Sequence, residues 1–145
     1  MFNAIDIANY IINKCIDLGR PITNLQLQKI LYYVQGEFIK KTGGQELFDN
    51  EISAWQYGPV IPDVYFEFNI YSSSDINTKC DEIELEEYIK KIIDPVINQK
   101  SVLSAWKLVE ETHKESPWIE SYEIGEKNKI SLEAMKKFFL DEVEE

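Results

Sequence analysis

The chain has 145 residues, of which 44% are hydrophobic and 12% aromatic, a composition typical of one globular domain and not of a disordered segment. Its net charge is −11 and is unevenly spread: residues 1–43 hold five basic and three acidic side chains, whereas residues 44–145 hold ten and 23. This balance argues against direct binding to DNA or RNA, where a basic face supplies most of the affinity, and no apolar run approaches the roughly 20 residues that span a bilayer.

Two amphipathic helices are predicted at the start of the chain. The first runs from Asn3, which can cap it, to about Leu18, and Gly19 ends it. The second begins in "ITNLQLQKILYYVQGEF", where Thr23 and Gln26 form a capping box. Because only a few residues join the two helices, we expect them to pack antiparallel.

The second helix also carries polar and aromatic positions whose role is open. Helical spacing places Gln26, Gln28 and Lys29 on a solvent-facing polar stripe opposite the apolar positions. Tyr32 and Tyr33 are adjacent in sequence, so at least one of them should face away from the core. An outward tyrosine is a common interface anchor, although a single exposed one carries little information.

From Leu47 onward the helical period gives way to alternation. The stretch "EISAWQYG" predicts a short strand or hairpin near residues 47–57. Gly58 and Pro59 should end the strand. Pro62 suits the first turn of a short helix.

A serine-rich loop over 71–80 separates this region from a fourth helix. Acidic residues from Asp81 to Glu87 lie near the predicted start of that helix, where they match the helix dipole. Tyr88 should contribute to its buried face. Pro95 removes one amide donor, so a kink or a stop is expected there.

Three further helices complete the prediction. Ser101 can cap a fifth helix, which carries Trp106 into the core. "ESPW" predicts a short sixth helix with Ser116 as the cap and Pro117 at the first position. The last helix starts at Ser131, and the terminal "DEVEE" places negative charge at the negative end of its dipole, so that end should fray.

Taken together, these elements predict a mainly α fold, a single compact domain of about six to seven helices over residues 1–145. Cys15 and Cys80 match no metal-ligand spacing, so we interpret both as reduced thiols of a cytoplasmic protein. The N-terminal stretch lacks the basic segment and cleavage site of a signal peptide. Neither the oligomeric state nor a cofactor is indicated.

Few residues suggest catalysis. The sequence contains no P-loop, Rossmann fingerprint or metal-ligand cluster. His113 and Glu115 could form an acid–base pair if the chain turns at Pro117, although a structural role for His113 at this corner is favoured. Trp55 and Trp118 each lie beside a proline turn, where they could pack two corners together or anchor an interface.

Three stretches occur in the order "PITNLQLQKILYYVQGEF", "LFDNEISAWQYGPVIPDVY" and "LVEETHKESPW". Together they resemble the Panacea domain, that is, the SocA-like antitoxin family, which includes GepA-like phage-associated proteins. The resemblance extends from about Ala4 to Phe139. The family motifs fall in this chain at Gln26, Gln28, Trp55, Tyr57, Gly58, Pro59, Tyr65, His113, Glu115, Pro117 and Trp118.

The resemblance implies a helical domain without enzymatic activity, which neutralises a toxic protein by direct contact. In one branch of the family the member hands its toxin to an energy-dependent protease, and such proteins are frequent in prophages. The acidic part of this chain suggests a basic toxin. We expect Trp55 to pack near the "HKESPW" corner, so that both corners form the contact region.

The sequence leaves two other hypotheses about the function open. The first is a phage-associated regulator that joins a transcription complex. The second is a hydrolase-type enzyme that uses His113 and Glu115.

Overall fold

The computed structural model describes residues 1–141. The helices are α1 (Ala4–Asp17), α2 (Asn24–Thr42), α3 (Pro62–Glu67), α4 (Glu87–Lys100), α5 (Ala105–Thr112), α6 (Ser116–Ile119) and α7 (Leu132–Asp141). The strands are β1 (Ile52–Trp55), β2 (Gly58–Val60) and β3 (Lys129–Ile130). With seven helices and one small sheet in the described chain, the predicted mainly α fold is confirmed. Residues 142–145 of the terminal stretch predicted to fray lie outside the described residues.

Helix α2 is the central element of the fold. Its capping box is present as predicted: the Gln26 amide donates to Thr23 Oγ1 at 3.2 Å, and the Thr23 amide donates to Gln26 Oε1 at 2.8 Å. The helix contacts α1, α3, α4, α5, α7 and β2. It therefore has neighbours on several sides, and most of its residues are buried.

This enclosure overturns two predictions for α2. Gln28 and Lys29 are fully buried and do not belong to a solvent-facing stripe, whereas Gln26 is half-buried. Tyr32 and Tyr33 are both buried as well, although one was expected to face outward. Helical spacing assumes a single buried face, and that assumption fails for a helix that other elements surround.

The predicted β element is a hairpin that lies a few residues later than expected. Strand β1 pairs antiparallel with β2, and Trp55 lies opposite Gly58, so Gln56 and Tyr57 form the turn. The prediction that Gly58 and Pro59 end the strand is wrong, because both belong to β2. The strand order β2-β1-β3 makes β2 an edge strand, where a proline is tolerated.

The second half of the chain departs from prediction at several helix starts. Helix α4 begins only at Glu87 and continues through Pro95, while Tyr88 is exposed. Helix α5 is capped by Ser104, not by Ser101. The buried face of α5 is formed by Leu108, Val109 and Thr112. Trp106, which was predicted in the core, lies outside this face and is 62% exposed.

The last two helices start close to the predicted positions. Glu115 is the N-cap of α6, so Ser116 is the first helical residue and the predicted cap is one residue late. Ser131 precedes α7 and accepts the Ala134 amide at 3.0 Å. Among residues 1–141, no helix combines the length and apolar character required to cross a bilayer.

Candidate functional site

The hairpin, which contains Pro59, and the "HKESPW" corner, which contains Pro117, lie side by side. The Trp118 indole donates a hydrogen bond of 2.8 Å to the backbone carbonyl of Trp55. His113 stacks on the Trp118 ring with centroids 3.9 Å apart, and Tyr122 also stacks on that ring at 4.6 Å. The expectation that Trp55 packs near the "HKESPW" corner is therefore confirmed, and the hairpin is attached to α6.

Polar side chains of α2 hold the segment that follows the hairpin. The Ile61 amide donates to Gln28 Oε1 at 2.8 Å, and Gln28 Nε2 donates to Asn24 Oδ1 at 3.0 Å. Asn24 Nδ2 in turn donates to the Tyr65 carbonyl at 3.1 Å. Buried amides need such partners, so Gln28 positions the backbone of the motif segment.

Lys29 explains why position 58 is a glycine. Its side-chain nitrogen is fully buried and donates to the Pro59 carbonyl at 3.0 Å. A Cβ atom on Gly58 would lie 2.7 Å from Lys29 Cε and 2.8 Å from Thr112 Oγ1. The backbone φ angle of Gly58 is +107°. Both the space and the backbone conformation therefore require glycine. Burial lowers the pKa of Lys29 from 10.5 to about 7.

Glu115 links α6 to the central helix. It accepts hydrogen bonds from the Tyr32 hydroxyl at 2.9 Å and the Tyr33 hydroxyl at 2.8 Å. Burial raises the pKa of the Glu115 carboxyl, and these two hydrogen bonds oppose that rise. The Lys100 ammonium lies 4.1 Å from the centroid of the Tyr33 ring. Glu115 is thus part of a structural network.

The geometry does not join His113 and Glu115 into an acid–base pair. No hydrogen bond connects them among the described residues. Burial lowers the pKa of His113, a backbone hydrogen bond with Gln56 opposes this, and the charge of Lys29 adds to the lowering. Nε2 of His113 is buried without a hydrogen-bond partner among residues 1–141, so this nitrogen is not exposed to a substrate.

A groove of about 770 Å³ opens beside the hairpin. Three aromatic motif residues form one wall: Trp55, Tyr57 and Tyr65. The loop between α6 and β3 forms a second wall with Tyr122, Ile124 and Lys127. Concave apolar sites of this size are common places for ligands or partner side chains.

Exposed aromatic rings continue outward from the groove. Tyr57 is 46% exposed and packs edge-on against Trp106, with centroids 5.2 Å apart. Phe66 is 61% exposed, and its centroid lies 6.3 Å from that of Trp55. We call the groove together with Tyr57, Phe66 and Trp106 the aromatic face.

The predicted motif residues therefore divide into two groups. Trp55, Tyr57 and Tyr65 line the groove, and Gln28 reaches it while holding the backbone. The Gln26 side chain donates to the Leu103 carbonyl at 2.9 Å and does not line the groove. The remaining motif residues do not line it either: Gly58, Pro59, His113, Glu115, Pro117 and Trp118.

Sequence reasoning missed the second wall of the groove. Tyr122, Ile124 and Lys127 belong to the charged stretch "SYEIGEKNK", which has no helical or alternating period. The available signal was an apolar residue beside a glycine in a charged loop. In the described part of the chain, no group of three or more His, Cys, Asp or Glu side chains is arranged to hold a metal ion.

Comparison with known proteins finds a family and a curated relative. Residues 27–119 match the family described as "Antitoxin SocA-like, Panacea domain". A curated relative, "Antitoxin SocA" of Caulobacter vibrioides (strain NA1000 / CB15N), is 32% identical over 93 residues, which is 64% of this chain and 49% of the relative. The chain thus spans about half the length of that relative. No solved structure matches the chain.

Proposed function

Because the chain belongs to the Antitoxin SocA-like, Panacea domain family, we propose that it is an antitoxin without enzymatic activity that neutralises a toxic partner protein by direct contact. The name of the relative, "Antitoxin SocA", supports this role. In this proposal residues 1–145 act as one domain of that family, and the toxin binds the aromatic face.

The aromatic face is the observation that carries the proposal. Aromatic rings are enriched at protein interfaces and dominate binding hot spots, and here several of them surround one groove. The hairpin wall is held by two buried hydrogen bonds: Gln28 accepts one from the Ile61 amide, and Lys29 donates one to the Pro59 carbonyl. A rigid wall reduces the ordering cost on binding, which favours a docking surface.

The engagement of His113 and Glu115 supports a non-enzymatic role. A catalytic base needs a free lone pair within reach of a substrate proton. Here the Glu115 oxygens accept tyrosine hydroxyls, and Nε2 of His113 is buried, out of reach of a substrate.

Charge supports a basic partner. Residues 44–145 hold 23 acidic and ten basic side chains, and an acidic surface speeds the approach of a basic protein at low salt. The association rate should therefore fall as salt rises from about 20 to 150 mM. A rate that stays constant over that range would contradict the steering role.

Co-expression tests the function directly. A toxic protein encoded in the neighbouring reading frame should stop growth when expressed alone and should be neutralised by the wild-type chain. Tyr57→Ala should weaken rescue and binding of the purified partner. Tyr88→Ala is the matched control, because Tyr88 is 54% exposed on α4 and does not line the groove.

Equal binding by both variants, with thermal unfolding unchanged, would refute docking on the aromatic face. A neighbouring protein that is not toxic, or is toxic but not neutralised, would refute the antitoxin role.

The same cells separate the two modes of neutralisation. If this chain acts as an adaptor for an energy-dependent protease, the toxin should disappear on co-expression only in cells that contain the protease. If it acts by occupying the toxin, growth should recover at a constant toxin level. A location among phage genes would support the phage-associated origin.

A further inference from the structure

The groove already holds a cation of its own chain. The Lys127 ammonium lies 4.3 Å from the centroid of the Trp55 ring, within the range of a cation–π contact, and tryptophan offers the best ring face for one. Trp55 is held from another side by Tyr65, whose ring meets it edge-on at 5.1 Å. The Trp55 ring is thus a formed receptor for a positive charge.

The group that occupies this receptor is weakly attached. Lys127 is exposed and belongs to a loop in which residues 123–127 are all exposed. The loop turns at Gly125, whose φ is +81°, and Ile124 is 90% exposed. Exposed cation–π contacts are among the weaker ones, so a competing cation can displace Lys127 without disturbing the core.

Besides its ring face, Trp55 has a polar group without a partner among the described residues, the indole N–H. This N–H is buried. An unsatisfied buried donor is costly. A carbonyl oxygen of a bound partner that reached this N–H would remove that cost.

Charge identifies the occupant. Glu126 lines the groove beside Lys127, and Glu123 lies in the same exposed loop. A neutral apolar side chain would gain nothing from these carboxylates, whereas a lysine or arginine would gain both the ring face and a nearby negative charge. Arginine suits the site especially well because its planar group stacks on aromatic rings.

We propose that the groove recognises its partner through a lysine or arginine side chain that replaces Lys127 over the Trp55 ring. Lys127 then acts as an internal competitor that covers the receptor in the free protein. The identity of the partner as a toxin rests on the proposed function, but the cation receptor itself does not.

A capped peptide tests the receptor without any toxin. The probe is N-acetyl-Gly-Arg-Gly-amide, and its neutral counterpart carries citrulline in place of arginine. In ¹H–¹⁵N spectra, the Trp55 indole signal, assigned by its loss in Trp55→Leu, should shift with the arginine peptide and not with the citrulline peptide. Lys127→Gln should tighten this binding by about two- to fivefold, the contribution expected of an exposed cation–π contact.

Lys91→Gln is the matched control, since it removes the same charge from an exposed position on α4. Equal tightening by both variants would show a general effect of charge and overturn the proposal. An indole signal that does not move, or that moves equally with citrulline, would overturn it as well. Unfolding curves of each variant confirm that the fold is retained.

With a toxin in hand, Lys127→Gln should also tighten toxin binding, and this gain should vanish in the Trp55→Leu background. If the peptide results hold and no toxin is found, the receptor stands and the antitoxin role fails. If rescue works while the indole signal ignores the arginine peptide, the antitoxin role stands and the receptor fails.

Discussion

Lys29→Met is the most direct test of how the motif segment is held. Lys29 is fully buried under the hairpin, and its amine donates to the Pro59 carbonyl at 3.0 Å. Methionine has a similar length but carries no proton to gain or lose. The variant therefore removes a titration from the core with little change in packing.

The magnitude follows from the pKa of Lys29. Burial lowers it from 10.5 to about 7, so between these values the unfolded chain binds a proton that the folded protein does not. The free energy of unfolding should then rise with pH through this window, by about 2 kcal/mol from pH 7 to pH 9. Below pH 7 both states are protonated, and the contribution becomes constant.

Urea unfolding at pH 7, 8 and 9 measures this slope. The wild type should gain about 2 kcal/mol more than Lys29→Met over the interval, while Lys91→Met, an exposed control on α4, should follow the wild type. Burial raises the pKa of Cys15 to about 11, which opposes the rise near pH 9, but this effect is common to all three proteins. Parallel curves for wild type and Lys29→Met would show that Lys29 is charged in the folded protein and would refute the reasoning.

Three further predictions concern single positions and are checked by urea unfolding at pH 7. Gly58→Ala should cost about 1–3 kcal/mol more than Gly125→Ala, because both glycines have positive φ but only Gly58 has side chains within 4 Å of a new Cβ; equal losses would contradict the close approach. Glu115→Gln should cost about 1–2 kcal/mol, because the amide nitrogen cannot accept the second tyrosine hydroxyl; an unchanged stability would show that the network is dispensable. Trp106→Ala should cost less than about 1 kcal/mol, because the side chain is 62% exposed; a loss of 3 kcal/mol or more, as for a core tryptophan, would contradict the observed position.

Some local signals in the sequence were reliable. The capping box at Thr23 and the proline at the start of α3 were predicted where the structure has them. Each depends on residues within one turn of each other, so the sequence contains all the information needed. The prediction that Trp55 lies next to the "HKESPW" corner was based instead on the motifs and their two proline turns, and the structure confirms it.

Burial around α2 could not be predicted in the same way. Gln28 and Lys29 were predicted on a solvent-facing polar stripe. Both are buried, because β2 and the segment after it pack against the side of α2 that carries them. Trp106 was misplaced for the opposite reason. The buried face of α5 is formed by Leu108, Val109 and Thr112, which leaves the Trp106 ring outside the core.

By itself, the sequence determined the helical class, the caps of α1 and α2, the proline start of α3, and the motifs that carry the family resemblance, since these depend on short-range chemistry along the chain. Only the tertiary structure decided which motif residues line a groove and which hold its walls, because burial depends on neighbours brought from distant positions. The loop of Lys127 shows this most clearly. Its residues have no periodic pattern, and their place over Trp55 arises only once β3 pairs with β1.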